Sequence, residues 1–496
     1  MGHLARVILF LTLLSHPQGL LAQQGPKFWR GVFLFAIREL PSAAEKNQFF
    51  TTLKDSLSLN VFQVRTFGDR SRINYFLNNN HDLWVLNQDA DLARLAEHAE
   101  DCAADSSFVR TRATMLLSYP KHLRFYLKDE PTNLVAFDCV SRLISSAVND
   151  SRAASVTAFA HSEELIPEFV AKTEPAELMI DPYFIRNNVP HPSLLGRDSD
   201  AMKAGIRPWT TDTVSQYGHY LGGLQNDLNQ VLSEQIRPAA SAMKSSRRSL
   251  IIIPQLHGEL FRSTNRYDTD SSYDNYLHLR PPSPSEIRLQ YNIGIAYGAK
   301  GFLGYPYGFD IGADALDATY PGLVDATGVH HSSNFDDPFG LGAVWTGYAE
   351  KWYEFASMNK RLHRIGDLLS SLTWVAAKSW TMVSSTWAPQ TTQTAGWDDS
   401  TVIHCAATTA WKYHDEIPQV EVGHLRQGST DYVVVVNRRS APYDSANITL
   451  TLAEHANWRV TEVENTNHTW IVTGGQTFTD YFEPGGGKIY RLETLP

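Results

Sequence analysis

Phe125-Tyr126-Leu127-Lys128-Asp129-Glu130-Pro131 is an apolar run that stops abruptly at two carboxylates and a proline. Proline has no N–H to donate to a neighbouring strand, so the run reads as a buried strand opening into a loop at Asp129 and Glu130. In a parallel (β/α)8 barrel the C-terminal ends of the strands face the active site, and acids placed there read as chemistry before they read as structure. The functional reading therefore depends on whether the rest of the chain builds a barrel.

Outward from that stretch, eight short apolar runs recur, at 29–36, 59–64, 83–86, 123–127, 155–160, 178–180, 250–253 and 301–305. They lack the polar alternation of an exposed sheet, as strands covered by helices must, and most are separated by helical patterns. One such helix announces its own start. Ser283-Pro284-Ser285-Glu286 supplies a capping hydroxyl, a proline at the first helical position and a glutamate three residues after the cap. The segment 344–362 puts Tyr348, Trp352 and Phe355 on one face and reads as the last barrel helix. The connections at 185–248 and 309–342 are long, which in a compact domain usually signals function or disorder.

From about residue 370 the period changes to two. Val375-Ala376-Ala377 and the segments 431–436, 448–452, 458–463 and 488–492 read as short antiparallel strands, with Pro484-Gly485-Gly486-Gly487 turning the chain into the last one. The expected fold is a (β/α)8 TIM barrel at 23–365 followed by an antiparallel β-sandwich-like domain at 366–496. Residues 1–22 read as a secretory signal peptide: Arg6, an apolar run from Val7 to Leu14, and Ala22 as the last residue removed. That run is shorter than the roughly 20 apolar residues a membrane span needs, and no later run reaches that length, so export without an integral membrane segment is expected.

Composition narrows the function. A net charge of −10 with no basic stripe argues against nucleic acid as a partner. Three cysteines, Cys102, Cys139 and Cys405, suggest neither a disulfide framework nor a metal site, and the fold is expected to rest on its core. The 12 Trp, 21 Tyr and 23 Phe offer flat apolar faces for sugar rings, although most aromatic side chains fill cores. No glycine-rich phosphate loop follows any strand, so no nucleotide cofactor is implied. The acids after the eighth strand match no EF-hand or zinc spacing, and no metal is expected.

The strand ending Lys128-Asp129-Glu130-Pro131 resembles the Asn-Glu-Pro at the end of the fourth strand in the clan of retaining (β/α)8 glycoside hydrolases that includes β-galactosidases and cellulases. Gly298-Ala299-Lys300-Gly301-Phe302-Leu303-Gly304-Tyr305 is similar to the eighth-strand entry of those barrels. The late Pro-Gly-Gly-Gly-Lys-Ile-Tyr-Arg-Leu is similar to the small β domain that often follows them. The resemblance implies that Glu130 is the general acid/base and that the substrate is a carbohydrate. The chemistry agrees, since a glycosidic oxygen is a poor leaving group and a carboxyl held protonated can donate to it. Asp129 stands where the clan has asparagine.

The second carboxylate departs from the pattern. The seventh strand ends Pro254-Gln255-Leu256-His257-Gly258-Glu259, with an amide where the clan places its nucleophile. Glu259, four residues on, and Asp181, in Ile180-Asp181-Pro182-Tyr183 at the sixth strand end, are the two candidates. Around them the strand ends offer Asp129, Arg65, Asn87, His161, Tyr183, Gln255, His257, Tyr305 and Tyr307 as groups for binding a polyhydroxylated ligand. The rival expectation is a glycan-binding protein on the same scaffold whose nucleophile has been lost to Gln255.

Overall fold

The computed structural model describes residues 25–34, 42–66, 69–78, 81–98, 102, 104–159, 165–185, 224–225, 227–246, 248–257, 259–261, 276–279, 282–307, 310–311, 319–320, 323, 348–383, 388–393, 397, 403–410, 419–440 and 445–496. The segment 1–22 and most of both long connections lie outside them. Eight parallel strands form the barrel: β1 (Trp29–Leu34), β2 (Val61–Arg65), β3 (Trp84–Gln88), β4 (His122–Tyr126), β5 (Ser155–Val156), β6 (Glu177–Ile180), β7 (Ser249–Ile252) and β8 (Gly301–Gly304). Their order is β5-β4-β3-β2-β1-β8-β7-β6, and each coincides with one of the apolar runs. The ring closes past the end of β5, where Ala158 bridges Met179 in parallel and the Phe159 N–H donates to the Met179 carbonyl at 2.9 Å.

Strand alternation sorts the side chains into two layers. Val61, Leu86, Val156, Met179, Ile251 and Leu303 point inward and form the barrel's inner core. Phe62, Val64, Val85, Phe125, Leu178, Ile180 and Ile252 point outward and join the larger core under the helices. β4 carries a bulge against β3 between the pairs Val85–His122 and Leu86–Arg124. On β6 the inward set is Glu177, Met179 and, just past the strand, Asp181. Glu177 is buried and accepts two hydrogen bonds from Arg124 of β4, at 3.0 and 2.9 Å, an ion pair spanning the two-residue β5.

Helix α1 (Ala43–Thr51) and its successors α2 (Arg70–Leu77), α3 (Ala90–Leu95), α4 (Ser106–Leu117), α5 (Leu134–Ser145), α6 (Leu165–Thr173) and α7 (Arg237–Ser246) follow the strands. Helix α8 (Pro284–Ala296) has the expected capping box, with Ser283 and Glu286 bonding each other's backbone. The last helix, α9 (Tyr348–Ser371), runs nine residues beyond the expected end at 362, because its apolar face continues through Ile365 and Leu369. Cys102 and Cys139 form a disulfide tying the segment before α4 to α5, which corrects the expectation of a fold without bridges. Two cysteines 37 residues apart carry no spacing signal of their own; the folding of α5 beside that segment brings them together.

The C-terminal part is an antiparallel β unit: β9 (Thr373–Val383), β10 (Ala388–Gln393), β11 (Ile403–Ala410), β12 (Val420–Gln427), β13 (Thr430–Asn437), β14 (Ala446–Leu452), β15 (Asn457–Glu462), β16 (Thr469–Val472), β17 (Thr477–Phe482) and β18 (Gly487–Leu495). A seven-stranded sheet, β10-β9-β12-β13-β18-β15-β16, faces a three-stranded one, β11-β14-β17. Five of these strands go beyond the five that the period-two pattern marked. β12 holds Gly423 at its centre, and β10 and β11 are rich in threonine and alanine, so none has a strong apolar alternation.

The sheet lies directly on α8, in which every residue from Leu289 to Ala296 is buried. A Cβ at Gly423 would sit 1.9 Å from the Ala296 carbonyl oxygen, so only glycine lets strand and helix backbones approach this closely. At Gly485, whose φ is +66°, a Cβ would meet the Ser285 oxygen at 2.0 Å. Beside them Glu421, fully buried, accepts from Tyr297 at 2.6 Å and from Arg438 at 3.1 Å, while Arg438 also donates to Gln225 at 2.9 Å. Glu421 and Arg438 thus pair with each other, the condition under which buried charges are tolerated.

Two outcomes are expected. Gly423→Ala forces two backbones apart and lowers stability by about 1–3 kcal/mol in chemical denaturation; an unchanged midpoint would mean that the seam yields. His122 is fully buried against Phe125, with Arg152 and Arg124 nearby, and burial first, then those cations, push its pKa from 6.5 down to about 3. Its neutral ring therefore lends stability that is complete above pH 6.5 and is lost as pH falls toward 3. In His122→Leu the pH dependence of stability across that window should flatten by up to about 1.4 kcal/mol per pH unit.

Candidate active site

The inward residues at the C-terminal strand ends enclose a cavity of about 710 Å³. Phe33 comes from β1, Gln63 and Arg65 from β2, Gln88 from β3, Tyr126 from β4, Ile253 from the end of β7 and Tyr305 from the end of β8. The loop after β4 adds Lys128, Asp129 and Glu130, the end of β6 adds Asp181 and Tyr183, and α3 contributes Arg94, with Glu97 just beyond it. Of the expected residues, Glu130, Asp181, Asp129, Arg65, Tyr183, His257 and Tyr305 come together here.

The others are placed differently. Asn87 is out of phase with Leu86 and Gln88, so it faces the outer layer and accepts from Thr66 at 2.9 Å. Tyr307 is packed against Phe49 and Trp352. Gln255 is fully buried in the wall, where its amide nitrogen donates to the carbonyls of Ile185 at 3.1 Å and His257 at 3.0 Å. Its carbonyl oxygen accepts from the Ile185 N–H at 3.3 Å. The amide thus pins the segment after β6 to the end of β7. Glu259 lies on a short strand, Glu259–Phe261, paired with Tyr276–Leu279, of which only the backbone is described. His161 lies outside the described residues.

Three carboxylates define the electrostatics. Asp129 accepts from the Tyr126 hydroxyl at 2.6 Å. It is open to the cavity, yet the cavity is deep and protein surrounds the carboxylate; burial raises its pKa while the Tyr126 hydrogen bond and Lys128 oppose the rise. Lys128 in turn bridges to Glu97 at 2.6 Å. Glu130 has a left-handed backbone with φ +45° and donates its N–H to the Ala158 carbonyl at 3.0 Å. Asp181 is the most confined of the three. Burial first, then the charges of Asp129 and Glu130, hold its carboxyl well above the usual range, and its Oδ1 is buried with no hydrogen-bond partner among the described residues.

Aromatic rings share the cavity with them. Tyr305 packs edge-on to Phe33 at 5.5 Å and to His257 at 5.2 Å, and lies parallel to Tyr183 at 6.4 Å. Sequence reasoning passed over Phe33, Gln63, Arg94, Glu97 and Tyr126. The signal for Tyr126 was present in the opening stretch, three residues before Asp129, but the hydrogen bond needs the loop to turn back. Among the described residues one further group of ligand types, Glu462, His468 and Asp480, lies in the β unit, where Lys488 already donates to Asp480 at 2.8 Å. It is an ion-pair network.

No family model matches the sequence, and no curated protein sequence matches it. Solved structures do. A β-galactosidase from Bacillus circulans sp. alkalophilus shares 8% identity over 95% of this chain and 100% of its own, with a TM-score of 0.50. A family 5 glycoside hydrolase from Bacteroides vulgatus shares 9% over 94% and 89%, with a TM-score of 0.43. A family 42 β-galactosidase from G. stearothermophilus shares 9% over 94% and 98%, with a TM-score of 0.44. At 8% identity the likeness to the B. circulans enzyme is one of fold.

The crowding of the carboxylates makes a prediction. A carboxyl raised in the folded state lends stability below its unfolded value near 3.8 and loses it as pH rises. Asp181→Asn should therefore melt higher than the unmodified protein at pH 7, with the difference shrinking toward pH 4. A variant that melts lower at pH 7 would show that the carboxylate is well accommodated.

Proposed function

We propose that this protein is an exported glycoside hydrolase that cleaves O-glycosidic bonds of an oligo- or polysaccharide by carboxylate acid/base catalysis. The observation that carries the reading is the convergence of Asp129, Glu130 and Asp181 on one cavity at the C-terminal barrel rim, facing the rings of Tyr126, Tyr183 and Tyr305. Hydrolysis of an acetal needs a carboxyl that holds a proton and a carboxylate that does not, and the site sets Asp181, raised the more strongly, apart from Asp129, whose rise the Tyr126 hydrogen bond and Lys128 oppose. The aromatic faces suit the apolar side of a sugar ring, and Arg65, Gln63 and Gln88 supply donors for its hydroxyls. The fold shared with the B. circulans β-galactosidase agrees with this class of substrate. Export is supported by the sequence of residues 1–22 and by the Cys102–Cys139 bridge, a bond that persists in oxidising compartments.

Gln255 favours a second reading, a non-hydrolytic glycan-binding protein, because the seventh-strand position where the resemblance asks for a nucleophile is an amide built into the wall. A panel of oligosaccharides separates the two. Hydrolysis by the unmodified protein, falling by about 10²–10⁴-fold in a Glu130→Gln, Asp181→Asn double variant that still binds sugar, is the expected result. Binding without turnover by the unmodified protein would establish the second reading instead.

A further inference from the structure

Resting on the hydrolase reading, we propose that Asp181, at the end of the sixth strand, is the proton donor to the leaving group, and that Asp129, held by Tyr126, is the carboxylate that works with it. The resemblance in sequence gives the donor's role to Glu130; the geometry divides the roles otherwise.

Three independent observations carry the assignment. First, the Asp181 Oδ1 is buried, lines the cavity and has no hydrogen-bond partner among the described residues. A buried polar atom left unpartnered is costly, and a ligand hydroxyl in the cavity would supply the missing bond. Second, Asp129 accepts a hydrogen bond from the Tyr126 hydroxyl at 2.6 Å, a bond that favours its ionised form against the burial that raises its pKa. Third, Gln255 is occupied in the wall, and among the described side chains the carboxylates lining the cavity from strand ends are those of the fourth and sixth, Asp129, Glu130 and Asp181. The raised proton affinity of Asp181, caused by burial and by Asp129 and Glu130, agrees with this division.

The step balances simply. The bond between the anomeric carbon and the glycosidic oxygen breaks, its electron pair stays on that oxygen, and the oxygen takes the Asp181 proton. Water supplies the hydroxyl that replaces it on the sugar carbon, and the remaining water hydrogen restores the proton to Asp181.

The test uses leaving groups that differ in their need for a proton. For a sugar that the unmodified full-length protein releases, a dinitrophenyl glycoside leaves without protonation, whereas a disaccharide of the same sugar does not. Asp181→Asn should lose about 10²–10⁴-fold in kcat/KM on the disaccharide and less than about tenfold on the dinitrophenyl glycoside, with the basic limb of the pH profile gone. Activity retained on the dinitrophenyl substrate also shows that the variant is folded. If Glu130→Gln shows that split and Asp181→Asn loses both substrates equally, the assignment is overturned while the hydrolase reading stands. If the unmodified protein releases neither leaving group from any sugar tried, both fall together.

Discussion

Closure of the barrel between β5 and β6 is the constraint on which the site depends. β5 contributes only two residues of regular strand, and the ladder to β6 is reduced to the bridge between Ala158 and Met179. The Arg124–Glu177 pair spans that short strand from inside the ring. It is bidentate and buried, so loss of either partner would strand a charge in the core at a cost of about 3–5 kcal/mol. Because Glu177, Met179 and Asp181 share one face of β6, the contact that secures the floor also sets the height of Asp181 at the rim. The same holds on β4, where Arg124 and Tyr126 face inward ahead of Asp129.

That closure crowds like charges. Asp129 and Glu130 arrive from one strand end and Asp181 from another, and each raises the free energy of ionising Asp181. A protein selected for stability alone would separate them. Their concentration in one cavity, among several tyrosines and a histidine, is the arrangement expected where proton transfer matters more than local stability.

The β unit acts on the site at one remove. It packs on α8, the helix between β7 and β8, and Gln290 of that helix exchanges hydrogen bonds with the backbone of Gln255 at 2.6 and 3.0 Å. Gln255 then holds the backbone after β6 at Ile185, four residues beyond Asp181. The sheet thus packs on α8, and buried hydrogen bonds run from α8 through Gln255 to the end of the segment carrying Asp181 and Tyr183. The position that looked like a lost nucleophile is a structural tie.

The barrel was legible in the sequence because its strands are buried on both faces and so appear as uninterrupted apolar runs, and because proline after Asp129-Glu130 marks a strand end whichever fold surrounds it. The acids at those ends were legible for the same reason. Phase within a strand was not: Asn87 and Gln88 are neighbours in sequence, and only strand alternation, anchored by which residues fill the inner core, sends one outward and the other into the cavity. The weakly patterned strands β10, β11 and β12 are held by pairing across the sheet, a non-local energy that leaves little trace in local composition. The Cys102–Cys139 bridge, the grip of Tyr126 on Asp129 and the use of Gln255 as a tie likewise depend on segments far apart in the chain or on a loop turning back. Composition and spacing determined what kind of residue stands at each strand end; the closed ring alone decided which of them meet.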